Sequence, residues 1–161
     1  MRKELLSSYH KQGYWENTTK FEKSTHGKKY PLIVLDVNDI WVSVPKAEVH
    51  QGKVFYKPLK EDIAKNGLHN PVLTVHCTRD ELKGQKAKWG KHINELPFWL
   101  AEDMSEKVYV AWGGSNRVLI ARELGYTHIE CTIIPTFIEA RNLQKTHRHT
   151  HPQYYPTKYW L

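Results

Sequence analysis

Residues 108–134 read VYVAWGGSNRVLIARELGYTHIECTII, and this stretch decides the fold. Val108–Trp112 is apolar and aromatic and suits a strand. Gly113 and Gly114 break that pattern. From about Ser115 to Leu124 the residues Val118, Ile120, Ala121 and Leu124 supply the apolar stripe of a helix, and Gly125 suits the left-handed position that ends one. Thr127–Ile134 returns to strand character and Pro135 closes it. A strand, a glycine turn, a helix and a second strand imply an α+β domain built on a small mixed sheet with packed helices.

Working outward, residues 136–145 (TFIEARNLQK) read as a further helix, and the tail that follows, rich in His, aromatics and Pro, reads as extended. Upstream, residues 31–37 (PLIVLDV) and 40–44 (IWVSV) read as two strands bounded by Pro31, Asn38-Asp39 and Pro45. Residues 57–68 (KPLKEDIAKNGL) read as a helix with Pro58 in its first turn, Leu59 and Ile63 on its buried face and Asn66-Gly67 at its end. Residues 70–77 (NPVLTVHC) form the next strand. Residues 78–107 read as an insertion, with a short helix near 94–103 and with Trp89, Phe98 and Trp99 able to line a pocket or cover core. Residues 1–30 are polar, with Tyr9, Tyr14, Trp15 and Phe21 scattered among them, and read as a basic arm that opens on a short helix. The expected organisation is therefore an arm at 1–30, a domain at 31–135 and a C-terminal helix with its tail at 136–161.

The 161 residues suit one domain, and Lys plus Arg at 24 against Asp plus Glu at 17 give a net charge of +7. A basic balance favours phosphate-bearing partners, nucleotide or nucleic acid. No run of ~18 apolar residues would span a bilayer, so no membrane partner is expected. Two cysteines, Cys77 and Cys131, make neither a disulfide framework nor a metal-ligand pattern, and a cytoplasmic location is the default expectation. Both read as packed thiols at strand ends.

The chemistry sits at Gly113-Gly114-Ser115-Asn116-Arg117. The first amides of a helix lack partners inside it and carry partial positive charge. Glycines in front of them let a phosphate come close, Ser115 can cap or donate, and Arg117 offers a planar fork for phosphate oxygens. On this reading Arg117→Ala removes phosphate affinity and leaves the fold intact. The same five residues also read as a tight turn, a capped helix and an exposed Arg, and the residues alone leave both open. They match neither the Walker pattern nor G-x-G-x-x-G.

The order of elements resembles the ParB/sulfiredoxin family over roughly Ile40–Ile134. The resemblance rests on Leu59, Ile63, Asn66-Gly67-Leu68, Asn70-Pro71-Val72, Val75, Gly114-Ser115-Asn116-Arg117, Ala121, Leu124-Gly125-Tyr126 and Ile129. It implies a fold that holds nucleotide phosphates at the helix opening on Gly-x-x-Arg. Gly114 stands where ParB-like proteins open their Gly-Glu-Arg-Arg turn, and Arg117 matches its last Arg. Ser115 stands where sulfiredoxin has its catalytic Cys, and a hydroxyl cannot perform that thiolate chemistry, so sulfinic-acid reduction is not expected. Asn142, Gln144 and Lys145 resemble part of the box that ParB proteins use at the triphosphate, and a helix-turn-helix after them is not expected.

The expected function is thus a module that binds nucleotide or DNA at Gly113–Arg117, with ATP or CTP and Mg²⁺ as candidate cofactors and a homo-oligomer as a further option. A stand-alone accessory protein, of the kind mobile elements carry, fits the size. Three alternatives stay open: a kinase of a small hydroxyl compound with Glu61 or Asp62 as base, a metal-dependent nuclease, and an interaction protein that has lost the ligand. The acids Glu61 and Asp62 equally suit the dipole of a first helical turn. No metal site is assigned. His147, His149 and His151 would share one face if the tail were extended, but a solvated tail is the simpler reading. Tyr154, Tyr155, Tyr159 and Trp160 beside Arg148 and Lys158 would suit base stacking, or packing on the body.

Overall fold

The computed structural model describes residues 1–17, 27–42, 56–83 and 107–150, and of Lys83, Gly113, Ser115 and 144–150 only the backbone. The described chain is α+β, with one mixed seven-stranded sheet and four α-helices. The strands are β1 (Glu4–Leu5), β2 (Tyr14–Glu16), β3 (Lys29–Asp36), β4 (Ile40–Trp41), β5 (Val72–Thr78), β6 (Lys107–Gly113) and β7 (His128–Ile134). The helices are α1 (Tyr56–Asn66), α2 (Arg79–Lys83), α3 (Ser115–Glu123) and α4 (Phe137–Thr150). The spatial order is β2-β3-β7-β5-β6-β4. β3 runs antiparallel to β7, β7 parallel to β5, β5 antiparallel to β6 and β6 parallel to β4. Along the other edge of β7, β1 pairs with His128–Ile129 and β5 takes over from Cys131.

Successive side chains of a strand point to opposite faces, and both faces here are covered. Ile33, Leu35, Val72, Ala111, Ile129 and Cys131 pack under α1 and α3, with Leu59, Ile63, Val118, Leu119, Ile120 and Ala121. Tyr30, Leu73, Val75, Val108, Val110 and Ile134 face Phe137, Ala140 and Leu143 of α4 and Leu82 of α2. Double coverage explains why 72–77 and 128–134 read as nearly continuous apolar runs. A register shift between Leu73 and Thr74 leaves Trp112 of β6 as an extra residue, with Gly113 opposite Leu73 and Ala111 opposite Thr74.

The structure departs from the sequence reading in four places. The described N-terminal residues hold one 3-10 turn, His10–Gln12, rather than an opening α-helix, and they are paired into the sheet: β1 lies against β7, β2 against β3, and Trp15 is fully buried in the α4 layer. α1 begins at Tyr56, so Glu61 and Asp62 occupy its second turn and its first turn holds no acid. Arg79–Lys83, expected to open the insertion, is helix α2, started by a capping box: Thr78 Oγ1 accepts from Glu81 N–H at 3.1 Å and Glu81 Oε1 accepts from Thr78 N–H at 3.1 Å. α4 continues to Thr150, through residues expected to be extended. The rest of the insertion, residues 43–44 of the second expected strand, Phe21 and the tail from His151 lie outside the described residues.

Candidate functional site

α3 begins where β6 ends against the start of β5, with Gly113 paired to Leu73. Gly114 is its N-cap at φ 140, a backbone that side chains rarely adopt, and its carbonyl accepts the first helical bond from Val118 N–H at 3.1 Å. A Cβ here would lie 2.8 Å from Arg117 Nη2 and 3.0 Å from Val72 Cγ1. The glycine therefore provides the turn and the space for the arginine one turn on.

That arginine does not extend into solvent. Arg117 is 1% exposed. Its Nη1 donates to the Asn70 carbonyl at 2.6 Å and its Nη2 to the Pro71 carbonyl at 3.4 Å, in the loop between α1 and β5. The expected phosphate fork is in this arrangement a brace. It joins the Gly-x-x-Arg turn to the Asn-Pro turn, so two separated pieces of the sequence pattern meet physically. Gly114 and Asn116 are half-buried, and the amides of Ser115, Asn116 and Arg117, which precede the first helical bond, are what the turn offers an anion.

α1 and α3 pack antiparallel. Lys60 Nζ meets Glu123 Oε2 at 3.0 Å, and Tyr56 near the same carboxylate has its hydroxyl pKa raised, first by burial and then by the Glu123 charge. The C-terminal turn of α1 consequently lies toward the start of α3. Asp62, one turn earlier, reaches into it: its Oδ1 accepts from Asn66 Nδ2 at 2.8 Å, and its Oδ2 lies 3.2 Å from His69 Nε2, next to Asn70. Asp62 is thus tied through His69, which the sequence reading missed, to the loop whose Asn70 carbonyl Arg117 takes. Glu61, the other candidate acid, is exposed on α1.

Asn142, Gln144 and Lys145 are on α4, which packs on the other face of the sheet from α3. Asn142 is half-buried beside buried Leu143. His147 and His149 are helical, so their α-carbons are about 200° apart around the axis rather than on one strand face. Among the described residues, no group of three or more His, Cys, Asp or Glu side chains comes together.

The sequence reading also missed a buried carboxylate. Glu130, 1% exposed in β7, accepts from Ser7 N–H at 3.0 Å, from Ser7 Oγ at 2.6 Å and from His10 Nδ1 at 2.5 Å. An acid in a strand covered on both faces must find such partners, and that was the available signal. The carboxylate, not the imidazole, occupies the middle of this Ser–His–Glu group, so it is not arranged as a nucleophile triad. Cys77 and Cys131 are free, buried thiols whose pKa burial pushes up to about 12; Cys131 stands in mid-strand rather than at a strand end. In comparisons with known proteins, the chain matches no family model, no curated protein and no solved structure.

Proposed function

We propose that this chain is a ParB/sulfiredoxin-like module that binds the phosphates of a nucleotide or a nucleic acid at the first turn of α3. The observation that carries the reading is the opening of α3 on Gly114, a residue with no side chain to cap it, ahead of the three amides that no helical carbonyl can reach. The net charge of +7 is in keeping with an anionic partner. Arg117 enters as the positioning residue that holds this turn against the Asn70–Pro71 loop. The family resemblance, the nucleotide and Mg²⁺ belong to this same proposal.

Calorimetric titration with tripolyphosphate, ATP, CTP and a short DNA duplex tests it, using the wild type and Ser115→Asp. A carboxylate in the first turn favours the helix dipole by about 0.3–1 kcal/mol and repels a phosphate. The expected result is a melting temperature equal or higher, with affinity at least about tenfold weaker. Unchanged affinity in the variant, or no wild-type binding of any probe, overturns the reading.

One observation favours phosphoryl transfer as a second reading. The Asp62–His69 pair supplies a proton acceptor on the loop that Arg117 of α3 grips at Asn70. Nucleotide hydrolysis stimulated by small hydroxyl compounds and lost in His69→Gln would support it.

A further inference from the structure

The loop from Gly67 to Pro71 is held from both sides. On one side the N-terminal segment grips it: Ser8 N–H donates to the Leu68 carbonyl at 3.1 Å and Ser8 Oγ to the His69 carbonyl at 2.7 Å. On the other side Arg117 takes the Asn70 and Pro71 carbonyls. Four consecutive carbonyls, Leu68 to Pro71, each accept a hydrogen bond from outside the loop. Of the loop's two polar side chains, His69 pairs with Asp62.

Asn70 is the exception. It is 1% exposed, and among the described residues neither its Nδ2 nor its Oδ1 has a hydrogen-bond partner. Folded proteins rarely leave a buried amide so, because it loses its hydration and gains nothing in return. Asn70 is joined to the opening of α3 by a single buried side chain, the Arg117 guanidinium, which takes its carbonyl and packs on Gly114. A second orphan lies in that opening: Asn116 Oδ1, buried and, among the described residues, without a partner.

We infer that the Asn70 side-chain amide is a ligand contact of the α3 site, its Nδ2–H donating to a phosphate oxygen bound at the amides of Ser115–Arg117. The inference rests on the reading of α3 as an anion site and adds a specific residue to it. The loop backbone stays fixed by Ser8 and Arg117, and the amide turns about its side-chain torsions to meet the phosphate. Arg117 thereby positions both halves of the site, the helix start and the asparagine. The unliganded fold carries an uncompensated polar group, and the ligand relieves it.

The test is Asn70→Leu, a near-isosteric change that removes the orphan amide. Thermal melts of the unliganded wild type and variant are compared, and both are titrated with tripolyphosphate, ATP, CTP and a short DNA duplex, with Ser115→Asp alongside. The expected result is a higher melting temperature for Asn70→Leu together with an affinity for tripolyphosphate at least about tenfold weaker. The arms separate the sources of the phosphate: equal losses for all probes mean recognition of phosphate alone, and a loss confined to one names its carrier. A variant that melts lower or fails to fold shows that the amide is structural and overturns the inference. A higher melting temperature with unchanged affinity overturns it as well. In both cases the wild type still binds and Ser115→Asp still weakens binding, whereas a wild type that binds nothing refutes the α3 reading itself and the Asn70 contact with it.

Discussion

Gly114 and Arg117 act as one unit at the scale of single residues. The glycine backbone at φ 140 and the 2.8 Å approach of the guanidinium leave no room for a β-carbon. Gly114→Ala should cost roughly 1–3 kcal/mol through backbone strain and displacement of Arg117. Arg117→Ala leaves a cavity and two carbonyls without donors, and should cost roughly 2–4 kcal/mol. The original expectation for Arg117→Ala, an intact fold with lost affinity, is thereby replaced by a loss of stability. Urea denaturation of the two single variants and the double variant checks this. Because both act on the same contact, the double variant should lose clearly less than the sum of the singles. Additive losses would show that the turn and the arginine act separately. An arginine in a first helical turn ordinarily extends into solvent, and nothing in Gly-x-x-Arg by itself tells a brace from a ligand fork. The discriminating partner, the Asn70 carbonyl, lies 47 residues away in the chain.

Elements with strong local signals were legible from sequence. α1 and α3 were marked by apolar residues at helical spacing and by glycines at their ends, and β3, β5, β6 and β7 by apolar runs that two covered faces require. β1 and β2 were not legible, because they are two and three residues long and exist only through pairing with β7 and β3. α2 was hidden inside a polar Lys-rich stretch, and its Thr78-x-x-Glu81 box was the signal to use. That box has a pH consequence. Hydrogen bonds from Thr78, backbone first, hold the Glu81 carboxyl below its ordinary range. A carboxyl whose pKa is lowered on folding stabilises the fold fully above its unfolded value, about 4.3, and the contribution disappears as pH falls through the folded value. Glu81 is exposed, so the effect is small and local. Amide exchange should show α2 losing protection before the sheet does as pH falls below the ordinary carboxylate range, and Thr78→Val should abolish that acid-sensitive step. Protection of α2 that falls only together with β5 would rule the box out as its cause.

On the scale of the whole molecule, the N-terminal segment integrates the sheet, although its charge and polarity suggest a tail. Lys3 N–H donates to Thr127 Oγ1 at 2.8 Å, its carbonyl accepts from Thr127 and His128, and its ammonium lies 4.4 Å from the Tyr126 ring centroid. Ser7 and His10 meet the Glu130 carboxylate, and Ser8 fixes the loop whose other side is held by Arg117. The segment thus links β7, the α1–β5 loop and, through that loop, the start of α3. Removing residues 1–10 would strip Glu130 of all three hydrogen-bond donors and take the buried Leu5 out of the core. Hydrogen bonds to a charged group contribute about 1.5–3 kcal/mol each, and burial of a leucine a similar amount, a large part of the stability of a domain this size. The truncated chain should therefore denature at much lower urea concentration. Adding Glu130→Gln to the truncation should restore part of the loss, since a neutral amide is less costly to bury than a carboxylate. A free arm would give the opposite pattern, with denaturation unchanged by the truncation and Glu130→Gln without effect on it. The pair of curves thus decides whether these residues belong to the fold, and through Ser8 they would also set how firmly the Asn70 loop is presented to α3.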